Sequence, residues 1–247
     1  MKKWFAVIGD PILHSKSPEM HSLWYEELSI DAAYIPIRVE RERLEEAVAS
    51  LKLLGASGFN VTIPHKESII PFLDELDPMA QKMGAVNTVL RTKDGRLKGY
   101  NTDAYGFQNS LQPLLEPHHS RALILGNGGA AKAVCYVLKQ LGIEYNLISR
   151  AKANSCLTYQ DLNKEIMESH KLIINCTPLG TYPNISDYPD IPYEFITREH
   201  LLYDLIYNPE ETTFLAKGKA KGAAIKNGYE MLVLQAEQNW KIWNHED

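Results

Sequence analysis

A glycine-rich turn between an apolar strand and a helix limits most strictly what this chain can fold into. The turn reads Gly126-Asn127-Gly128-Gly129-Ala130-Ala131 and follows the predicted strand Arg121 to Leu125, which is apolar after its first residue. It matches the G-x-G-x-x-G/A pattern, in which the first glycine permits a tight turn and the second lets the backbone approach a pyrophosphate. The small Ala131 allows close packing of helix on strand, and the helix N-terminus attracts negative charge. The turn therefore predicts a dinucleotide-binding unit, although a purely structural glycine turn has the same pattern.

The residues after the turn alternate between helical and strand patterns. Ala130 to Leu141 predicts a helix that ends at Gly142. Further strands are predicted at Tyr145 to Ile148, Leu172 to Asn175 and Leu201 to Tyr207, and further helices at Tyr159 to Ser169 and Glu210 to Lys219. This order predicts a doubly wound parallel sheet.

The end of the second strand of this series bears on which dinucleotide binds. An NAD-binding domain places Asp or Glu there, about 20 residues after the turn, to hold the ribose hydroxyls. This chain has Ser149-Arg150 instead. A carboxylate would repel a 2′-phosphate, whereas the Arg150 guanidinium can grip it bidentately, with Ser149 and Lys152 adding donors. These residues predict NADP rather than NAD. Their spacing is also compatible with a solvated loop in which Arg150 and Lys152 bind no ligand.

The N-terminal part of the chain shows a second alternation of strand and helix patterns. Strands are predicted at Phe5 to Ile8, Tyr34 to Val39, Gly58 to Ile63 and Ala85 to Leu90, and helices at Glu19 to Leu28 and Glu42 to Leu54. Asp94-Gly95 predicts a hairpin turn into Leu97 to Asn101. A last helix is predicted at Tyr229 to Trp243. The alternation predicts another sheet covered by helices.

Composition and charge argue against several other classes of protein. With 26 Lys and Arg against 31 Asp and Glu the formal net charge is -5, and no basic stripe could follow a phosphate backbone, so we expect no nucleic-acid partner. No stretch approaches the roughly 18 apolar residues of a membrane-spanning helix, and the apolar run after Lys2 and Lys3 is too short for a signal peptide. The three cysteines form no C-x-x-C pair, which favours a cytoplasmic location without disulfides or a thiolate metal site.

Four polar clusters lie near the ends of predicted strands, where α/β folds build their sites. They are His14-Ser15-Lys16-Ser17-Pro18, Asn60-Val61-Thr62-Ile63-Pro64-His65-Lys66, Gly84-Ala85-Val86-Asn87-Thr88 and Asn101-Thr102-Asp103-Ala104-Tyr105-Gly106. Each cluster taken alone is compatible with turn chemistry. Ser17 before Pro18 could cap a helix, and Asp103 could cap the next one.

Taken together, in order and across nearly the full chain, these clusters closely resemble the shikimate dehydrogenase family. The resemblance continues in Asn175-Cys176-Thr177-Pro178-Leu179-Gly180, Tyr207-Asn208-Pro209 and Asn227-Gly228-Tyr229-Glu230-Met231-Leu232-Val233-Leu234-Gln235. It implies an α/β substrate-binding domain of residues 1–102, to which a C-terminal helix within 227–247 returns, and a Rossmann-type NADP-binding domain of residues 103–226. The active site would lie in the cleft between the two.

The resemblance also implies an activity and roles for individual residues. The activity is the reversible, NADPH-dependent reduction of 3-dehydroshikimate to shikimate, in the pathway to chorismate and the aromatic amino acids. Ser15 and Ser17 would bind the substrate carboxylate, and Lys66 would lie at the reacting carbon. The residues expected at the ring hydroxyls, or near the nicotinamide or substrate, are Thr62, Asn87, Asp103, Gln235, Tyr207 and Gly228. The residues expected to bind the cofactor are Gly126, Asn127, Gly128, Gly129, Ala130, Ser149, Arg150, Lys152, Thr177 and Gly228.

Lys66 and Asp103 suit the chemistry of that reaction. Hydride delivery to a ketone leaves negative charge on the oxygen, so a positioned cationic proton donor is needed as the charge develops. Lys66 fits this role, and Asp103 would orient the ammonium and a substrate hydroxyl; which of the two carries the proton is left open. His65 is expected to be exposed or to pack, because no paired carboxylate or metal-type spacing accompanies it. His118-His119 lies in a polar loop without further ligands, and no metal is predicted.

Two positions depart from the family pattern, and two other interpretations stay open. The family's Asn-Arg-Thr triplet reads Ser149-Arg150-Ala151 here, which weakens some hydrogen bonds to the 2′-phosphate, and Thr181 replaces the usual methionine. One alternative is a quinate/shikimate dehydrogenase that uses NAD or NADP, against which Arg150 argues. The other is a non-catalytic nucleotide-binding sensor, against which Lys66 and Asp103 argue. Monomer and homodimer are both compatible with the sequence.

Overall fold

The computed structural model describes residues 3–12, 15–150 and 156–245 and divides into two compact units. The first unit comprises Met1–Thr102 and Ala236–Asp247, and the second comprises Asp103–Gln235. No helix in the described part of the chain combines the length and apolar character that crossing a membrane requires.

One mixed sheet forms the centre of the first unit. Its described strands are β1 (Lys3–Gly9), β2 (Ala32–Arg38), β3 (Gly58–Val61), β4 (Glu75–Leu76), β5 (Thr88–Arg91) and β6 (Leu97–Tyr100), and its helices are α1 (Ser17–Glu27), α2 (Leu44–Leu53) and α3 (Pro78–Met83). The strand order is β2-β1-β3-β5-β6-β4. Strand β1 runs parallel to β2 and β3, whereas β5 runs antiparallel to β3 and β6. The predicted hairpin between β5 and β6 is confirmed.

Alternate side chains of β1 fill two cores, one on each face of this sheet, as the two-residue period of a strand requires. Ala6 and Ile8 belong to the cluster that α2 covers, and Phe5 and Val7 belong to the cluster with Trp243. Trp243 lies in the last helix, α8 (Tyr229–His245), and its indole N–H donates to the carbonyl oxygen of Val89 at 3.1 Å. The C-terminal segment of α8 therefore completes the core of the first unit.

The second unit is built on a parallel sheet. Its described strands are β7 (Arg121–Leu125), β8 (Glu144–Ser149), β9 (Cys156–Thr158), β10 (Leu172–Asn175), β11 (Leu201–Asp204) and β12 (Ala224–Lys226), and its helices are α4 (Asp103–Leu111), α5 (Gly129–Gln140), α6 (Lys164–Ser169), α7 (Thr213–Lys219) and the first part of α8. The strand order β12-β11-β10-β7-β8-β9 is that of a doubly wound Rossmann-type sheet. The order reverses between β7 and β10, so the carboxyl ends of these strands flank the position where such folds bind ligands.

Side-chain hydrogen bonds end one predicted strand early and start the following helix late. The strand predicted at Leu201 to Tyr207 ends at Asp204, because the Asp204 carboxylate accepts the backbone N–H of Ile206 at 3.0 Å and turns the chain. The next helix begins at Thr213, since the Thr212 hydroxyl caps it. Both differences depend on side-chain geometry that residue periodicity does not report.

Two other helix starts also differ from the sequence predictions. Helix α1 begins at Ser17 itself, with Lys16 at the N-cap position, so the interpretation of Ser17 as a helix cap is wrong. The helix predicted from Tyr159 begins at Lys164, because Asn163 accepts the backbone N–H of Ile166 and caps it there.

Candidate active site

Three predicted substrate-binding or catalytic residues come together at one end of the first unit's sheet. Thr62 follows the last residue of β3, and Asn87 precedes the first residue of β5. The backbone N–H of Val61 donates to the carbonyl oxygen of Asn87 at 2.8 Å, and that of Val86 donates to the carbonyl oxygen of Lys66 at 2.7 Å. These two bonds place the loop that carries Thr62 and Lys66 beside Asn87.

The Asn87 side chain is fixed by a buried network of hydrogen bonds. Its Oδ1 accepts from the backbone N–H of Thr102 at 2.8 Å and lies 3.0 Å from the Thr88 hydroxyl oxygen, and its Nδ2 donates to the Thr102 hydroxyl at 3.0 Å. Oδ1 of Asn239 accepts from the hydroxyls of both threonines. Because all four residues are buried, the network holds the Asn87 amide in one orientation.

A second chain of contacts joins the two predicted carboxylate-binding serines to the same strand end. Oγ of Ser15 accepts from the backbone N–H of Ser17 at 3.4 Å, and the Ser17 side chain hydrogen-bonds to Tyr34. The Tyr34 hydroxyl donates to Oδ1 of Asn60 at 2.7 Å, and Nδ2 of Asn60 donates to the carbonyl oxygen of Asn87 at 3.1 Å. Burial raises the pKa of Tyr34, which stays a neutral donor. Sequence patterns do not identify Tyr34, because a tyrosine in a strand is typical of a core.

Packing separates the roles of the neighbouring His65 and Lys66. His65 is fully buried, and its Nε2 lies 2.7 Å from the carbonyl oxygen of Val39. Lys66 is only partly buried. A Cβ at Gly9 would collide with the Thr62 methyl group, so the glycine that ends β1 is needed for Thr62 to hold its place. His65 is thus a packing residue, whereas Lys66 is accessible to a ligand.

In the second unit, the glycine-rich turn has the geometry that a dinucleotide needs. Gly126 has φ of +102°, a left-handed conformation that favours glycine, and its N–H donates to the carbonyl oxygen of Ile148 at 2.8 Å. Gly128 is the N-cap residue of α5, and a Cβ built on it would meet only open space. The N-terminus of α5 therefore faces room for a phosphate, and Asn127, Gly129 and Ala130 line the same turn.

The end of β10 lies against this turn. A Cβ on Gly126 would be 3.1 Å from the methyl carbon of Thr177. The backbone N–H and the hydroxyl of Thr177 both donate to Oδ1 of Asn175, at 3.0 and 2.7 Å. Nδ2 of Asn175 donates in turn to Oδ1 of Asp204 at 3.1 Å. Asp204 was not predicted, since one carboxylate within an apolar run carries no recognisable motif.

The residues predicted to bind a 2′-phosphate follow β8. Ser149 is buried at the end of the strand, and Arg150 is exposed directly beyond it. Burial raises the pKa of Tyr159, and the positive charge of Arg150 opposes this shift, so the guanidinium lies in the neighbourhood of that ring. Lys152 lies outside the described residues. The structure therefore presents a cationic group at the strand end where an NAD-binding domain would have a carboxylate.

The remaining predicted residues lie in two regions of the second unit. The backbone N–H of Gly228 donates to the carbonyl oxygen of Ile206 at 3.0 Å, and a Cβ on Gly228 would collide with the carbonyl oxygen of Leu205. Gly228 thus packs directly against the chain that leads into Tyr207. Only glycine permits this approach.

The second region contains Asp103 and Gln235, on neighbouring helices. Asp103 begins α4 and is buried, and Gly106 lies one turn further along the helix. A Cβ on Gly106 would be 3.2 Å from Cβ of Gln235, so α4 and the first part of α8 are in close contact there. Residues three apart share a helix face, which places Asp103 on the face of α4 that packs near Gln235. Within the described residues, no three His, Cys, Asp or Glu side chains are grouped to hold a metal ion.

Comparisons with known proteins point to one family. Residues 7–89 match the model of the shikimate dehydrogenase substrate binding domain. A shikimate dehydrogenase (NADP(+)) of Lysinibacillus sphaericus is 43% identical, over 98% of this chain and 92% of its own length. The shikimate dehydrogenase of Aquifex aeolicus has a TM-score of 0.90 at 35% identity, over 98% of this chain and 92% of that one. The Thermus thermophilus enzyme, solved with NADP(H) and shikimate, has a TM-score of 0.88 at 34% identity, over 99% and 94%.

Proposed function

This chain belongs to the shikimate dehydrogenase family, and we propose that it catalyses the reversible, NADPH-dependent reduction of 3-dehydroshikimate to shikimate. One structural observation carries the proposal. Thr62, Lys66 and Asn87 are held together at one strand end, within the segment that matches the family's substrate binding domain. The reaction would serve the pathway to chorismate and the aromatic amino acids.

The polar side chains of the first unit suit a hydroxylated ring acid. Ser15 and Ser17 offer hydroxyl donors to a carboxylate, and Thr62 and Asn87 offer donors and acceptors to ring hydroxyls. The buried partners of Asn87 orient its amide before substrate arrives, so less ordering is left to be done on binding. We assign Gln235 and Tyr207, from the second unit, to the same substrate.

Lys66 and Asp103 are the proposed proton-handling residues. When bound, NADPH supplies the hydride that converts the ketone carbon into a secondary alcohol. The Lys66 ammonium stabilises the negative charge that develops on the oxygen and donates a proton to it, and in the reverse direction the neutral amine accepts that proton. The Asp103 carboxylate orients the ammonium and a ring hydroxyl.

The second unit would hold the cofactor. Gly126, Asn127, Gly128, Gly129 and Ala130 would surround the pyrophosphate at the N-terminus of α5, which the open space at Gly128 accommodates. The remaining cofactor-binding residues are proposed to be Ser149, Arg150, Lys152, Thr177 and Gly228. The exposed guanidinium of Arg150 favours NADP over NAD, because it can pair with a 2′-phosphate.

Three further properties belong to the same proposal. The unit Met1–Thr102 with Ala236–Asp247 would bind the ring acid, and Asp103–Gln235 would bind the dinucleotide. A cytoplasmic location is consistent with cysteines that are all free. Light scattering of the purified protein would distinguish a monomer from a homodimer.

An absorbance assay at the reduced-nicotinamide band tests the proposal against the quinate alternative. Shikimate and quinate are each combined with NADP and with NAD, giving every pairing of substrate and cofactor. Fast reduction with shikimate and NADP alone supports the proposed function. Comparable rates with quinate or with NAD would assign the chain to the broader quinate/shikimate group.

A further inference from the structure

One buried carboxyl group, Asp204, connects several loops at the cofactor end of the second unit's sheet. Asp204 is the last residue of β11 and is fully buried. Its Oδ1 accepts from Nδ2 of Asn175 at 3.1 Å and from the backbone N–H of Ile206 at 3.0 Å. Its Oδ2 accepts from the Thr212 hydroxyl at 2.6 Å. These four residues, together with Thr177, are called the Asp204 cluster below.

The first branch of the Asp204 cluster leads to the glycine-rich turn. Oδ1 of Asn175 accepts hydrogen bonds from both the backbone N–H and the hydroxyl of Thr177. The Asp204 carboxyl group orients the Asn175 amide, and this amide in turn holds Thr177. The Thr177 methyl group lies against Gly126, the first glycine of the turn. The backbone N–H of Cys176 also donates to the carbonyl oxygen of Leu125, which holds the same segment to β7.

The second and third branches lead to the loops after β11 and before α7. The carbonyl oxygen of Ile206, whose N–H is bound by Asp204, accepts from the backbone N–H of Gly228 at 3.0 Å. Thr212 caps α7 and lies against Gly180, where a Cβ would be 3.5 Å from the Thr212 Cβ. Gly180 has φ of +100° and ends the segment that begins at Asn175. One carboxyl group therefore restrains the segments around Thr177, Gly180 and Gly228.

Packing alone does not account for a carboxyl group buried at position 204. Burying a carboxyl group costs free energy unless hydrogen bonds replace water, and here several donors converge on it. Burial raises the pKa of Asp204 to about 7 even though Thr212, Ile206 and Asn175 all favour its charged form. An apolar residue would fill the site at lower cost, but it could not tie the three loops together.

We propose that Asp204 is a positioning residue for NADPH: through Asn175 and Ile206 it holds Thr177 and Gly228 in the arrangement that receives the cofactor. This inference rests on the proposed function. Asp204 itself is buried and needs no contact with the cofactor, so its effect should reach NADPH affinity through the loops. The affinity for the ring acid should change less, because Ser15, Ser17, Thr62 and Asn87 belong to the first unit and only Tyr207 follows a residue that Asp204 holds.

Titration of NADPH into the purified protein, followed by cofactor fluorescence, tests this directly without turnover. Asp204→Ala is expected to raise the Kd for NADPH by about tenfold or more, because the bonds to Asn175, Ile206 and Thr212 are lost together. Asp204→Asn keeps Oδ1 as an acceptor for Asn175 and Ile206, and its Kd should lie within about threefold of the wild-type value. The KM for shikimate should rise less than the Kd for NADPH in Asp204→Ala and should stay within about twofold in Asp204→Asn.

Ser110→Ala provides the matched control. Ser110 is buried in the same unit, and its hydroxyl lies 2.6 Å from the hydroxyl of Tyr203, the residue before Asp204. Its loss should lower thermal stability while leaving the Kd for NADPH unchanged. An Asp204→Ala variant with wild-type Kd would overturn the inference, as would a Ser110→Ala variant that weakens NADPH binding equally, or an Asp204→Asn variant no better than Asp204→Ala.

Thr212→Val is a second variant that tests the same inference if Asp204→Ala does not fold. Valine preserves the shape of threonine and removes only the hydroxyl that binds Oδ2 of Asp204 and caps α7. The inference predicts a Kd for NADPH raised by about threefold, and an unchanged Kd in this variant would contradict it. Wild-type protein that binds NADPH but does not oxidise shikimate would refute the proposed function while leaving the Asp204 comparison readable.

Discussion

Oδ1 of Asn239, in the last helix, accepts a hydrogen bond from the Thr102 hydroxyl at 2.7 Å. The same oxygen accepts from the hydroxyl of Thr88, and all three side chains are buried. Thr88 and Thr102 are also the threonines that contact the Asn87 amide. The C-terminal helix thus takes part in orienting a proposed substrate-binding residue.

Removal of the Asn239 amide should destabilise the first unit. Asn239→Ala removes the nearer acceptor of two buried hydroxyls and leaves them to share the more distant Oδ1 of Asn87, and we expect the free energy of unfolding to fall by about 2 kcal/mol. Urea denaturation measures this. Asn244→Ala, on the same helix, removes an exposed bond to Lys3 and a local bond to the carbonyl oxygen of Trp240, and it should lower the free energy of unfolding by less than about 1 kcal/mol. Equal effects of the two variants would show that the buried network contributes nothing particular.

Loss of the Lys66 ammonium should impair chemistry rather than cofactor binding. Lys66→Ala is expected to lower kcat for shikimate oxidation by about 10²-fold or more, the size typical of a positioned acid/base group. The Kd for NADPH should be unchanged. Lys52→Ala, which removes an exposed ammonium paired with Asp74, serves as the control and should keep wild-type turnover. Near-normal turnover of Lys66→Ala would remove this lysine from the mechanism.

Arg150 should set the preference between the two dinucleotides. Arg150→Ala is expected to raise the KM for NADPH about tenfold or more, because charge-assisted hydrogen bonds to the 2′-phosphate are lost. The KM for shikimate and the activity with NADH should change little. Arg198→Ala removes another exposed guanidinium of the same unit and should leave every KM unchanged. Equal increases in both substrates' KM for Arg150→Ala would argue against the 2′-phosphate assignment.

His21 should make the first unit sensitive to acid. It is fully buried, stacks on Tyr34 with ring centroids 4.2 Å apart, and has no hydrogen-bond partner for either ring nitrogen among the described residues. Burial lowers its pKa from 6.5 to about 4. The unfolded chain therefore binds the proton more tightly than the folded chain does. Neutral His21 contributes its full share to the free energy of unfolding above about pH 6.5, and this contribution is lost as the pH falls toward 4.

Between about pH 6.5 and pH 4, the free energy of unfolding of the wild type should fall by about 3 kcal/mol more than that of a variant without the imidazole. His21→Phe keeps an aromatic ring and removes the titrating group. The free energies of unfolding at pH 7 and pH 4.5, measured by urea denaturation, should therefore differ less in this variant than in the wild type. His118→Gln, at a more exposed histidine, should retain the wild-type dependence. An unaltered pH dependence in His21→Phe would place the acid-sensitive group elsewhere.

The fold was predictable where a local pattern determines the element. The turn from Gly126 to Ala131 needs small residues at set spacings, and the structure has the predicted strand, turn and helix there. The Asp94-Gly95 hairpin is equally local. Short elements such as α3 and β12 were not predicted, because a few residues show no clear period and are defined by their neighbours in space.

The candidate site was predictable only in part. Ser15, Thr62, Lys66 and Asn87 belong to polar clusters that a sequence displays openly. Asp204 lies in the run Leu201 to Tyr207 and acquires its role only when folding brings Asn175 and Thr212 to it. Tyr34 and Asn239 likewise become site-supporting residues through partners distant in sequence. Such roles depend on tertiary contacts that no local pattern encodes.

Reduction of the ring ketone by this chain can be measured by following the reaction itself. Purified protein is mixed with 3-dehydroshikimate and NADPH, the loss of NADPH absorbance is followed, and the product is identified by chromatography. We expect shikimate to form in a one-to-one ratio with the NADPH consumed. Folded protein that binds NADPH yet forms no shikimate would refute the proposed function and favour a nucleotide-binding sensor.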